Sequence, residues 1–312
     1  MAKILAFGRP RPDHSASAET GAPLAHLLEG FSLEVMPRTA AKIPSFAEIL
    51  PAETRIYIAH IDGTPFEEML ATARRLRAEG FTVMPHIPAR VVETKARLME
   101  WAAAYADLGI DEALLLAGGV SHVRGELSNS MQMLESGILD RAGFRRLHVA
   151  GHPEGNRDID PTGGEAAVME AVRWKQAFAE RTGAEMALVT QFVFEAQPVI
   201  DWAARLREAG VTLPIHVGVA GPAKLQTLIK FALACGVGPS LRVLQRRAAD
   251  ITKLMLPFTP EDVLRDLAAA KAADPALQVE RVHFFPLGGI TGTAGFTDAH
   301  GRLAGGAAAA TA

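Results

Sequence analysis

Eight short runs rich in aliphatic and β-branched residues recur along this chain, at 32–36, 55–60, 82–86, 113–116, 146–150, 186–192, 214–217 and 282–285. Most are continuously apolar rather than alternating, the pattern of strands covered on both faces. Helix-period segments of crossover length separate most of them, at 65–79, 91–108, 164–182, 198–209, 223–235 and 260–272. In the first of these, Phe66, Met69, Leu70, Ala73 and Leu76 share a face and Gly80 marks the stop. Eight βα units of this kind predict a parallel (β/α)8 barrel in a single domain, with an open doubly wound sheet as the alternative. A further helix at 241–255, carrying Arg242, Arg246, Arg247 and Lys253, interrupts the rhythm before the last strand. Those cations read either as an anion contact or as a solvated basic face.

The barrel is expected over residues 31–300, preceded by a partly disordered extension at 1–30 and followed by a flexible Gly/Ala-rich tail at 301–312. With 49% hydrophobic and 21% charged residues, the chain can bury a large core. A net charge of −3 and the lack of any Lys/Arg block argue against nucleic acid as a partner. No apolar run suits a signal peptide or a membrane span, so a cytoplasmic address is expected. Cys235 is the sole cysteine, which excludes an intrachain disulfide and reads as a buried thiol in a helix. The oligomeric state stays open, a homo-oligomer included.

In such a barrel, polar residues at the C-terminal ends of strands face the active-site mouth. Glu34 is the clearest, a carboxylate inside an otherwise apolar strand. Left unpaired and buried, it would have a raised pKa and be ready to donate a proton; the alternative is a structural ion pair, with Arg38 the nearest candidate. His60, His86, His152 and His216 close strands or follow them. Each alone reads as structural, while several converging on one mouth point to ligand binding. They lack the close spacing or carboxylate partners of a zinc site, so no metal ligands are assigned. Gly118 and Gly119 end the fourth strand, where either a cofactor approaches the backbone or a turn requires them. His152-Pro-Glu154 follows the fifth strand, and Thr190-Gln-Phe192 ends the sixth with an amide beside aromatics suited to a flat heterocycle. No G-x-G-x-x-G lies between a strand and a helix, which excludes a Rossmann-type dinucleotide grip.

Taken in order, these segments resemble methylenetetrahydrofolate reductases over roughly residues 31–287. Glu34 followed by Pro37, Arg38 and Thr39 is similar to the family's first strand, Pro85-His86 to its third, and His152-Pro-Glu154 to the loop after its fifth. Thr190, Gln191, Phe192 and Phe194 match its sixth strand, Ile215-His-Val-Gly-Val219 its seventh more loosely, and His283, Phe284 and Leu287 its last. The resemblance implies NAD(P)H-linked interconversion of 5,10-methylenetetrahydrofolate and 5-methyltetrahydrofolate, usually through FAD, with Glu34 as general acid. It places Gln191, Phe192, Leu225 and Leu287 against the tetrahydrofolate substrate, and His60, His86, Gly118, Gly119, His152 and Glu154 around the cofactor. Several family positions are changed. Ala117-Gly-Gly119 replaces an Arg-Gly-Asp whose acid lies near flavin and pterin, and Ala59 replaces a Thr. Lys175 stays but Ala177 replaces a second Lys, and Gly288-Gly289 replaces Asn-Arg. These departures lead to the expectation that NADH or NADPH, NADH favoured, transfers hydride directly to the folate without FAD. The alternatives are the same reaction through bound FAD, a metal-dependent barrel hydrolase, and a silent folate-binding or partner-binding relative.

Overall fold

The structure is a computed structural model that describes residues 23–119, 122–235, 244 and 257–308. Its eight strands are β1 (Ser32–Val35), β2 (Arg55–Ile58), β3 (Thr82–Pro88), β4 (Glu112–Leu116), β5 (Arg146–Gly151), β6 (Leu188–Val193), β7 (Ile215–Ala220) and β8 (Val279–Phe285). All pair in parallel with their sequence neighbours, and β1 pairs with β8 through Ser32 opposite His283 and Leu33 opposite Phe284. The sheet therefore closes, and the chain is a (β/α)8 barrel.

Strand parity decides what fills it. Because side chains alternate across a strand, Ile56 and Ile58 face the helices and join the main core, while Tyr57 faces inward to Met84, Leu114 and Val189. The surrounding helices bury one stripe each. In Phe66–Ala78 the stripe is Met69, Ala73 and Leu76, with Glu67 and Glu68 in the first turn and Arg75 and Arg77 in the last, as the helix dipole favours. Each large side chain so buried contributes about 1.5–3 kcal/mol.

The first strand of the barrel starts at Ser32, and part of the stretch before it is ordered. Residues 23–28 are helical, and Leu24, Leu27 and Leu28 are buried in the main core, so this part of the predicted extension packs on the barrel. Three leucines within five positions supply the apolar stripe that the polar stretch before them lacks. At the other end, helix Ile290–Ala308 runs into the predicted Gly/Ala tail. The predicted helix at 241–255, its cations and the side chain of Cys235 lie outside the described residues, apart from buried Leu244. No helix among the described residues is long and apolar enough to cross a membrane.

At the N-terminal end of the barrel, inward-facing charges neutralise one another. Arg55 donates to both oxygens of Glu112, at 2.6 and 3.0 Å, and Arg146 bridges Glu112 and Glu185. A cavity of about 1200 Å³ lies outside this end, walled by Glu48, Arg55, Thr82, Arg281 and the start of the described chain at Ala25 and Leu28. It is remote from Glu34, on the face that barrels of this type use for stability.

Candidate active site

Glu34 lies on β1 in register with Tyr57 of β2, and its side chain is 19% exposed toward the C-terminal mouth. Arg38 is not its partner, because it stands exposed on the short helix Pro37–Ala40. Two histidines approach it instead. His86 Nε2 from β3 lies 3.3 Å from Glu34 Oε2, and His283 Nε2 from β8 lies 3.7 Å from the same oxygen. Neither contact is a hydrogen bond, the first for want of direction and the second because it is too long, and both nitrogens are buried without a hydrogen-bond partner. On the far side of the ring, His283 Nδ1 and Ser32 Oγ are 2.9 Å apart.

The charge state differs from the sequence-based expectation. Burial would raise the Glu34 pKa, but the fields of His86 and His283 beside it outweigh that and hold the carboxyl below its ordinary value. Burial pushes His86 down to about 4 despite the attraction of Glu34. At neutral pH the ligand-free site therefore holds a carboxylate facing a neutral His86. A carboxylate of lowered pKa is not a waiting acid; it has to acquire its proton.

Below this level the barrel interior stays polar. The Tyr57 hydroxyl and His148 Nδ1 are hydrogen-bonded at 2.7 Å, and the Tyr57 ring stands 4.4 Å from that of His283, centroid to centroid. The His148 and His216 rings meet edge to face at 4.7 Å. Burial lowers His148 well below the ordinary histidine value and takes His216 down to about 3, so both are neutral spacers of the core near neutral pH.

One side of the mouth is apolar. Phe192, Leu225 and Leu287, assigned to substrate in the sequence, come together in a cluster with Phe194, Ala220, Leu228, Phe258 and Phe285. The Phe285 ring joins this wall to the acid, standing 5.5 Å from Phe192 and 4.9 Å from His283. Gly218 makes the junction fit, since a Cβ there would lie 2.5 Å from Thr190 O and 2.7 Å from the Phe285 ring. Gln191 is exposed where the β6–β7 register shifts between Val189 and Phe192, and its carbonyl accepts from the Thr190 hydroxyl at 2.8 Å. That irregularity takes Gln191 out of simple alternation and turns its side chain from the core.

The residues assigned to the cofactor do not form one group. His60 turns away from the mouth: its Nε2 is 3.0 Å from Thr64 O and its ring packs on Trp101 of helix Lys95–Ala106. These contacts tie it to the loop after β2, on the strand face opposite to that of Ala59. His86 belongs with Glu34. His152 is held by Asn156 at 3.3 Å and driven to a pKa of about 4 by burial and by nearby Lys175, with half-buried Glu154 in the same loop. Gly118 has φ +103 and a Cβ there would press on Pro88 at 3.2 Å, so backbone geometry alone requires it, while Gly119 borders open space. Lys175 lies 4% exposed and donates to Ala150 O at 3.1 Å, its pKa lowered to about 8 by burial. Among the described residues, no group of three or more His, Cys, Asp or Glu is arranged to hold a metal ion.

Sequence reasoning passed over Ser32, Tyr57 and His148, and gave His283 no role beyond its place in a motif. Their signal was parity: Ser32 and Glu34, Tyr57, His148, His216 and His283 are the inward positions of their strands, and each is polar where an apolar residue would fill a barrel.

No protein-family model matches the chain. Among solved structures it is similar to a β-N-acetylhexosaminidase from Beutenbergia cavernae DSM 12333, at 12% identity and a TM-score of 0.30, the match covering 81% of this chain and 98% of that one. A likeness of that degree carries no argument about the site.

Proposed function

We propose that this chain is an oxidoreductase that interconverts 5,10-methylenetetrahydrofolate and 5-methyltetrahydrofolate with NADH or NADPH, Glu34 supplying the proton. The observation that carries the reading is a part-exposed carboxylate at the floor of a barrel mouth, beside an apolar wall whose partly exposed members, Phe285 and Leu287, pack on buried Phe192 and Leu225. A flat pterin suits such a wall, and the exposed Gln191 amide can reach a heterocycle edge.

In the direction of reduction, the proton on Glu34 passes to the departing amine nitrogen, the carbon–nitrogen bond of the imidazolidine ring breaks, and an iminium carbon remains. A reduced nicotinamide supplies the hydride that turns this carbon into a methyl group. Glu34 gains its proton when substrate covers the mouth, because loss of the remaining water exposure favours the neutral carboxyl. His86, neutral near pH 7, neither competes for the proton nor holds the carboxyl in a permanent ion pair.

The residues fit a flavin poorly. The acid expected beside it is Gly119, Ala177 removes one lysine, and the retained Lys175 spends its ammonium on the Ala150 carbonyl. Direct hydride transfer accounts for these changes. The test is purified protein with NADH or NADPH and 5,10-methylenetetrahydrofolate, with product analysis and an absorption spectrum of the denatured supernatant. Folate-dependent oxidation of the nicotinamide without stoichiometric flavin is expected. No methyl product under either nicotinamide sinks the reading, and stoichiometric flavin replaces direct transfer by the flavin route.

A further inference from the structure

Glu34 Oε2 is approached by two buried imidazole nitrogens that have no hydrogen-bond partner of their own. A buried N–H left unsatisfied costs about 1–3 kcal/mol, so the chemical state of these rings matters to the fold as well as to the carboxylate. A neutral imidazole carries its proton on one nitrogen only. For His283 the choice is coupled to Ser32, which is fully buried and whose Oγ lies 2.9 Å from Nδ1. With the hydroxyl donating to Nδ1, the ring proton resides on Nε2 and faces the carboxylate. With the proton on Nδ1, a lone pair would face the carboxylate and repel it.

We propose that Ser32 is a positioning residue for Glu34, acting through His283. Its hydroxyl fixes His283 as the Nε2–H tautomer, whose N–H dipole, with Nε2 3.7 Å from Glu34 Oε2, turns its positive end toward the carboxylate and orients it. The relay lies across the seam that closes the barrel, because Ser32 and His283 are the paired residues of β1 and β8. The two strands that complete the cylinder thereby orient its acid. The other titratable groups near Glu34 leave this task to Ser32 and His283. His86 approaches the same oxygen from β3, and Tyr57 of β2 commits its hydroxyl to His148. His148 and His216 lie deeper and meet each other. A hydroxyl-to-imidazole-to-carboxylate order also appears in hydrolytic triads, but a fully buried Ser32 is closed to any substrate carbonyl, so its role here is orientation.

The inference rests on the reading of Glu34 as proton donor, yet its first test needs no turnover. In the ring nitrogen spectrum of ¹⁵N-histidine-labelled wild-type protein, His283 is expected as the Nε2–H tautomer; an Nδ1–H tautomer overturns the proposal whatever the enzyme does. In Ser32→Ala the tautomer is expected to mix. The Glu34 carboxyl, followed by its ¹³C shift, should then bind a proton on the order of tenfold more tightly, as befits an N–H dipole that no longer faces the carboxylate. Ser32→Thr keeps the hydroxyl and should restore both signals. Where turnover is measurable, Ser32→Ala should move the alkaline limb of the kcat profile, where the acid loses its proton, to higher pH, and lower the plateau kcat through lost orientation while KM changes little, a pattern that loss of packing would not give. An unchanged tautomer and an unchanged Glu34 titration in Ser32→Ala overturn the proposal. Should that variant not fold, the wild-type tautomer decides alone. Absence of any folate turnover, with the expected tautomer present, removes the proposed reaction and leaves the positioning of Glu34 standing.

Discussion

The two ends of the barrel handle buried charge in opposite ways. At the N-terminal end, Arg55 and Arg146 converge on Glu112, which is 9% exposed and accepts from both, and the network continues to Glu185. At the C-terminal end, the Glu34 carboxylate faces two imidazoles that approach within 4 Å and complete no hydrogen bond of good direction. The same strands build both ends, so the difference lies in what each end is for. A network in which guanidinium forks match carboxylate oxygens is finished and serves stability. A carboxylate kept short of partners can still change its proton when a ligand arrives.

The comparison is most open to challenge at Glu34 itself. Glu34→Gln should lower turnover by about 10²- to 10⁴-fold, the usual contribution of a positioned acid, with folate affinity and melting temperature retained. Steady-state kinetics paired with thermal denaturation will check it; unchanged turnover would remove Glu34 from the mechanism. The opposite end should respond in the opposite sense. Glu112→Gln strands the Arg55 guanidinium, leaves Arg146 only Glu185, and should cost about 3 kcal/mol in denaturant unfolding. A Glu112→Gln protein of full stability would break the contrast between the ends.

Acid should expose the histidine-rich interior next. His86 and His152 are held at about 4 and His216 at about 3, against about 6.5 in an unfolded chain. Their folded values are depressed, so their contribution is complete above pH about 6.5 and is lost as the pH falls toward 4, where only the unfolded chain binds the protons. This amounts to about 3 kcal/mol at most for each of His86 and His152 and about 5 kcal/mol at most for His216. A melting temperature that stays flat from pH about 7 to about 4.5 would contradict the burial of these rings. The smallest effect belongs to Lys175. Its folded value of about 8 lies below the unfolded one, so stability should rise as the pH increases from about 8 toward 10.5. Lys175→Met should flatten that alkaline rise and change stability at pH 7 by about 1 kcal/mol; calorimetry at the two pH values will measure both.

Much of this was legible in the residues. Continuous apolar runs alternating with amphipathic helices define eight βα units, because a parallel strand needs a crossover and the crossover must bury a face. Glu34 was visible as a carboxylate in an apolar strand, and Phe192, Leu225 and Leu287 do share a cluster. The partners of Glu34 were not visible. Arg38 is near in sequence yet exposed, while His86 and His283 come from the third and last strands and meet Glu34 through the barrel interior. His60 looked equivalent to His86, but one step of parity sends it to Trp101.

By itself, then, the sequence determined eight βα units and an out-of-place acid, since both follow from local hydrophobic pattern, while the closure of the sheet was decided by the pairing of β1 with β8. Only the tertiary structure decided that the acid rests as a carboxylate between two imidazoles, with Ser32 behind one of them. The reason is physical: strand parity and the β1–β8 seam select which distant side chains share the interior, and those neighbours set the energy of a charge there.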